Sequence, residues 1–110
     1  MKLKDIVDIL GLKVLTCKDS LDREVTGVYI SDLLSDVIGN SNKGELWITI
    51  QTHINIIAVA TLKELSGIII TNNRMPQKEV IDKAEAESIP IMSTPMKTFE
   101  IAGKLYNLIG

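Results

Sequence analysis

At 110 residues the chain is long enough for one domain, 1–110, and too short for two. Its 12 lysines and arginines against 14 aspartates and glutamates give a net charge of −2, without the basic footprint of a nucleic-acid binder. One cysteine, Cys17, and one histidine, His53, cannot build an iron–sulfur cluster, a structural zinc site or an internal disulfide, and imply a reducing, cytoplasmic setting with no metal or cofactor.

The elements follow in chain order. Leu3, Ile6, Val7 and Leu10 recur at i, i+3, i+4, i+7 and predict a helix, with Gly11 placed to end it in a left-handed cap. Leu12–Thr16 reads as a short strand, 18–24 as a polar turn, and Val25–Ile30 as a second strand with β-branched residues and a tyrosine. Ser31 is placed to cap a helix with Asp32 in its first turn. Leu33, Leu34, Val37 and Ile38 form its apolar face, and it ends near Gly39.

After the loop 39–45, Leu46–Ile50 reads as a buried strand. Thr52 can cap a third helix, whose apolar positions are Ile54, Ile57, Ala58, Leu62 and Leu65. Gly67–Thr71 is nearly all apolar, as a parallel strand covered on both faces would be. Pro76 stands near the start of a fourth helix, which turns Val80, Ile81 and Ala84 inward and pairs Glu79 with Lys83. Ile89–Met92 is a short strand. A last helix, 98–108, is expected to bury Phe99, Ala102, Leu105 and Tyr106. Strands alternating with helices predict a three-layer α/β/α sandwich around a mostly parallel sheet, with right-handed crossovers.

The longest unbroken apolar run is five residues, Ile56–Ala60, against the roughly 20 that a membrane span needs. The start, MKLKDIVDIL, is amphipathic, unlike a signal peptide. Yet 45% of residues are hydrophobic and the mean hydropathy is +0.21. A domain this small buries about 60–70% of its chain surface, so an aliphatic-rich one is expected to leave apolar surface for a partner. A homodimer is the default expectation, because closed two-fold symmetry is the commonest assembly.

Open α/β sheets bind ligands beyond the carboxyl ends of their strands. Three such ends are readable here: Gln51, Thr52, His53 and Asn55 after one strand, Thr71, Asn72, Asn73 and Arg74 after the next, Ser93, Thr94 and Pro95 after the last. In a parallel sheet they share one edge. The candidate ligand-binding set is Gln51, Thr52, His53, Asn55, Thr71, Asn72, Asn73 and Thr94. Its hydroxyls, amides and imidazole suit a small polar or anionic molecule, a nucleotide among them, or a partner's backbone. The same residues read equally well as caps and turns. Catalysis by His53 would need an orienting carboxylate and a nucleophile, and the three strand ends supply neither, so no catalytic residue is assigned. The segment GNSNKGE at 39–45 lacks the Lys-Ser/Thr pair of a phosphate loop and is rejected as one.

Two stretches, WITIQTHINIIAVATLKELSGIIITNN and PQKEVIDKAEAESIPIMSTPMKTFEIAGKLY, carry a longer pattern. A strand ends in a polar cluster, and a helix and a Gly-led "GIII-T" strand follow. Next come a Pro-started Glu-rich helix, "IPI" and a Thr-Pro. With VTGVYISDLLSDVI upstream, this pattern resembles the DRTGG domain family over nearly the whole chain. Thr52-His53 stands where the family is named for Asp-Arg, and Thr71-Asn72-Asn73 where it is named for Thr-Gly-Gly.

The resemblance implies a fold similar to the N-terminal domain of HPr kinase/phosphorylase. It also implies a regulatory rather than an enzymatic role, as in the domains that sit beside CBS domains in nucleotide-regulated pyrophosphatases and help them dimerise. Stand-alone members, which this chain resembles, accompany [FeFe]-hydrogenases, so a hydrogenase subunit or other redox-enzyme component is an implied partner. The family label "iron-sulfur binding hydrogenase" cannot hold literally for a chain with one cysteine. The expectation is therefore a non-catalytic regulatory or interaction module, with a nucleotide or anion sensor and a hydrogenase accessory protein as alternatives.

Overall fold

Two runs of aliphatic residues, Leu46–Ile48 and Ile68–Ile70, lie side by side at the centre of the sheet, and both of their faces are sealed from water. The computed structural model describes residues 1–110. It contains, in order, α1 (Leu3–Leu10), β1 (Lys13–Val14), a 3-10 turn (Lys18–Ser20), β2 (Gly27–Ile30), α2 (Leu34–Asn40), β3 (Glu45–Thr49), α3 (Asn55–Lys63), β4 (Gly67–Ile70), α4 (Lys78–Ala86), β5 (Ile91–Ser93) and α5 (Thr98–Ile109). The five strands form one sheet in the order β1-β5-β4-β3-β2. The pairs from β2 to β5 are parallel, and only β1 runs antiparallel, against β5. No helix is long and apolar enough to cross a membrane.

Side-chain alternation along the strands sorts the core into two halves. Trp47, Ile68, Ile70 and Ile91 point to the side covered by α2, α3 and α4. Leu46, Ile48, Ile69 and Met92 point to the side covered by α1 and α5. The arrangement is the three-layer sandwich predicted. Right-handed crossovers that step along the sheet in one direction must place every connecting helix on the same face, which is why α2, α3 and α4 lie together.

Local signals fared unevenly. Gly11 ends α1 in the left-handed region (φ 62°), donating its N–H to the Val7 carbonyl as the sequence implied. The two predicted side-chain caps do not form. Ser31 Oγ accepts the Leu33 N–H at 3.2 Å, and α2 begins only at Leu34, because the Asp32 carboxylate is engaged by β3 instead. Thr52 caps nothing, since α3 starts three residues later. On α2, Leu33 and Ile38 face solvent and Val37 carries the burial. On α3, Ala58 and Leu62 are exposed, and Ile56, Val59 and Ala60 join Ile57 in the core. The expected Glu79–Lys83 pair is replaced by Lys78–Asp82 at 2.7 Å and Lys83–Glu87 at 3.1 Å.

The last helix holds the largest correction. Phe99 is 92% exposed and Tyr106 74%, while Ile101 and Leu105 are the residues that reach the core. Helix α5 carries two apolar stripes one residue out of phase, and the sheet takes the aliphatic one.

Candidate functional site

The carboxyl ends of β3, β4 and β5 do lie at one edge of the sheet, but the structure divides their polar residues into two groups. The first group lines a cleft of about 270 Å³ between the β3–α3 loop and the start of α4. Gln51, Thr52 and His53 form one wall, and Arg74, Gln77 and Glu79 the other. The second group, Thr71, Asn72, Asn73 and Thr94, lies outside this cleft and is bonded into the fold. Asn55 opens α3 on the exposed surface and does not line the cleft.

The first wall is built from below. The Asp32 carboxylate accepts the Thr49 hydroxyl and the Ile50 N–H, each at 2.9 Å, and the Asp32 carbonyl accepts the Gln51 side-chain amide at 3.0 Å. The buried Trp47 donates its indole N–H to the Ser31 carbonyl at 2.8 Å. The loop after β2 therefore fixes the loop after β3, and with it the backbone that carries Thr52 and His53. His53 Nδ1 accepts the Asn55 N–H at 3.1 Å. An acceptor nitrogen carries no proton, so the ring proton sits on Nε2, which is left as an outward-facing donor. His53 thus does locally what Thr52 was expected to do, filling one of the open amides at the start of α3.

The opposite wall is the uncapped start of α4. Gln77 precedes the helix without a side-chain cap, and the N–H groups of Lys78 and Glu79 bond to no protein acceptor. Arg74 is exposed and makes no ion pair. The cleft therefore offers a guanidinium, an imidazole N–H, a threonine hydroxyl and amide groups, with Glu79 as its one carboxylate. That set is chemically able to bind and orient a polar or anionic group. It holds no nucleophile paired with a base, and no group of three or more His, Cys, Asp or Glu side chains converges anywhere.

The second group closes what would otherwise be a crevice between β4 and β5. The hydroxyls of Thr71 and Thr98 lie 2.8 Å apart. Asn72 N–H donates to the Met96 carbonyl and Asn73 N–H to the Thr94 carbonyl, each at 2.9 Å. Consecutive left-handed residues (φ 61° and 57°) make this crossing possible, and asparagine is the non-glycine residue that tolerates them best.

Nearby, the Tyr29 hydroxyl donates to Asp36 at 2.8 Å, and the Asn40 amide donates to the same oxygen at 2.8 Å. The Asn40 bond, with help from Ser31 and Tyr29, holds Asp36 below the usual carboxylate range. The bond to Asp36, followed by partial burial, pushes Tyr29 up.

Gln77 and Glu79 lie outside the candidate set that the strand ends define, and Arg74 is a strand-end residue outside that set. One signal was available: Pro76 ahead of Gln-Lys-Glu marks a helix start with no capping residue, whose amides stay open.

The DRTGG domain model matches residues 5–108. The chain belongs to the DRTGG domain family. Its fold matches the crystal structure of the CBS and DRTGG domains of the regulatory region of Clostridium perfringens pyrophosphatase, solved with the activator diadenosine tetraphosphate. The TM-score is 0.71 at 20% identity, over 93% of this chain and 44% of that one. The chain thus spans less than half of the chain it matches. No curated protein matches it.

Proposed function

We propose that this DRTGG domain is a non-catalytic regulatory module, cytoplasmic and homodimeric, whose strand-end cleft receives a small anionic ligand of the nucleotide or phosphate class. The observation that carries the reading is that Arg74, His53 and the uncapped start of α4 line one cleft that holds no nucleophile–base pair. Anions are favoured at helix starts, and a guanidinium matches a phosphate or carboxylate with two parallel bonds. Gln51, Thr52 and His53 contact the ligand. Asn55, Thr71, Asn72, Asn73 and Thr94 hold the loops that shape the cleft. Likeness to a pyrophosphatase's regulatory region supports regulation over chemistry.

Thermal unfolding with diadenosine tetraphosphate, ATP, AMP and inorganic phosphate tests this. A ligand that binds only the folded chain adds about 2.7 kcal/mol of stability at 100 times its Kd. One of these compounds should raise the melting temperature, and Arg74→Ala should abolish the rise without altering the ligand-free melting. No rise with any of them would leave the domain as a protein-interaction module alone.

A further inference from the structure

Arg74 and Glu79 line the same wall of the cleft with opposite charges, yet neither makes an ion pair. Glu79 has a lysine at i+4, in the orientation that favours pairing, but Lys83 reaches Glu87 at 3.1 Å instead. Lys78, its chain neighbour, is taken by Asp82 at 2.7 Å. The wall thus presents one free guanidinium and one free carboxylate, both exposed, and His53 is the only other titratable group that lines the cleft.

A plain anion is a poor match for this set. Glu79 repels the charge that Arg74 attracts, and each further phosphate on a ligand enlarges the repulsion. An ionised carboxylate only accepts hydrogen bonds, so a ligand satisfies it by bringing donors alongside its anion. Two ammonium groups stand near Glu79 on its own helix and it pairs with neither, which leaves hydroxyls as the donors it suits. The same division, donors on the phosphate and a carboxylate on the sugar hydroxyl, recurs in dinucleotide-binding folds. Size narrows the choice further. The cleft holds about 270 Å³, short of the roughly 300–1,000 Å³ of pockets that enclose drug-sized ligands. It seats one compact unit, and Ile54 and Val80 give it an apolar surface on which the carbon face of a sugar can rest.

We propose that Glu79 sets the specificity of the cleft, whose ligand is a phosphorylated sugar with one phosphoryl group on Arg74 and adjacent hydroxyls on Glu79. The proposal rests on the anion reading above and narrows it. A free sugar phosphate and a nucleoside monophosphate both carry this unit. Inorganic phosphate has no sugar hydroxyls to offer Glu79, and a nucleoside triphosphate adds charge that Glu79 opposes.

Titration calorimetry of the full chain with inorganic phosphate, ribose 5-phosphate, 2-deoxyribose 5-phosphate, AMP, 2′-deoxy-AMP and ATP tests the proposal. A ribose compound should bind about tenfold or more tighter than inorganic phosphate, and loss of its 2-hydroxyl should cost about tenfold, the worth of one hydrogen bond to a charged group. ATP should bind more weakly than AMP. Ribose 5-phosphate identifies the source: if it matches AMP the sugar phosphate suffices, and if only AMP binds the base is needed as well. Glu79→Gln should erase the hydroxyl preference and bind inorganic phosphate more tightly than the wild type does, whereas a merely structural residue would weaken every ligand alike. Its ligand-free melting should match the wild type, because the side chain is exposed and unpaired. Equal affinity for the ribose and deoxyribose forms, tighter binding of ATP than of AMP, or an unchanged preference in Glu79→Gln overturns the proposal and leaves the anion reading standing. No binding by any of these compounds overturns both.

Discussion

Thr16 carries the sharpest stability prediction, because one hydroxyl serves two buried backbone groups. The residue lies just past β1 and is 1% exposed. Its Oγ1 donates to the Ile89 carbonyl at 2.7 Å and accepts the Ile91 N–H at 2.8 Å, bridging to the entry of β5 where the short β1 ladder has already ended. Thr16→Val keeps the shape and leaves no cavity, so the packing terms nearly cancel. What remains is a carbonyl and an N–H buried without partners. Each such orphan costs about 1–3 kcal/mol, and some local relaxation makes about 2–4 kcal/mol the expected total. A domain of this size shifts by about 4–8 °C per kcal/mol, so the melting temperature should fall by roughly 10–25 °C. Thr16→Ser is the control: it keeps both bonds and loses one methyl, about 1 kcal/mol. Urea unfolding followed by Trp47 fluorescence gives the free energies directly. A Val variant within 0.5 kcal/mol of wild type, or a Ser variant worse than Val, would refute the assignment.

The remaining predictions concern pH and thiol chemistry. Asp36 is depressed in the folded state, so the stability it contributes is present above the ordinary carboxylate value of 3.8 and is lost as pH falls through the lower folded value. Tyr29 is raised, so its contribution is full below the ordinary phenol value of 10.0 and is lost as pH rises through the higher folded value. Asp36→Asn should therefore flatten the stability profile below about pH 4, and Tyr29→Phe should flatten it above about pH 10; unchanged slopes in both would sink the pair. Burial first, then the nearby Glu85 carboxylate, push the Cys17 thiol up. The native thiol should resist iodoacetamide at pH 8 and react fully only in denaturant, as read by mass spectrometry; equal rates in both conditions would contradict its burial.

The layered fold was legible because it rests on long-range pattern: aliphatic runs at Leu46–Ile50 and Gly67–Thr71 with helical periods between them. Helix faces were less legible where two apolar stripes overlap. On α5 the stripes Ile101–Leu105 and Phe99–Ala102–Tyr106 have the same period, and periodicity alone cannot say which meets the sheet. The caps failed for a different reason. Ser31 and Thr52 are good capping residues locally, but the tertiary bonds between Asp32 and the end of β3, and a competing local bond from the Asn55 N–H to His53, accompany the later starts of those helices. The candidate site was half visible. Strand ends are marked in the sequence, whereas the wall made by Arg74, Gln77 and Glu79 exists only because α4 starts opposite the β3–α3 loop.

Topology explains why the cleft lies there and not at the expected crevice. Ligand crevices open where neighbouring connections leave the sheet toward opposite faces. In this fold the connections after β2, β3 and β4 all go to the α2–α3–α4 layer, and only the one after β5 goes to the α5 side. The switch therefore falls between β4 and β5, at Thr71–Asn73 and Thr94–Thr98. The chain fills that position with its own hydrogen bonds, two from backbone amides and one between hydroxyls. With the switch point stapled, the nearest open place along the same edge is between β3 and β4. There both neighbouring loops run to the same layer, and the gap between them is floored by the Asp32 contacts and walled by the bare start of α4. The edge thus has a hydrogen-bonded, closed half and an open half, and Arg74 and His53, the residues proposed to receive an anion, stand on the open one.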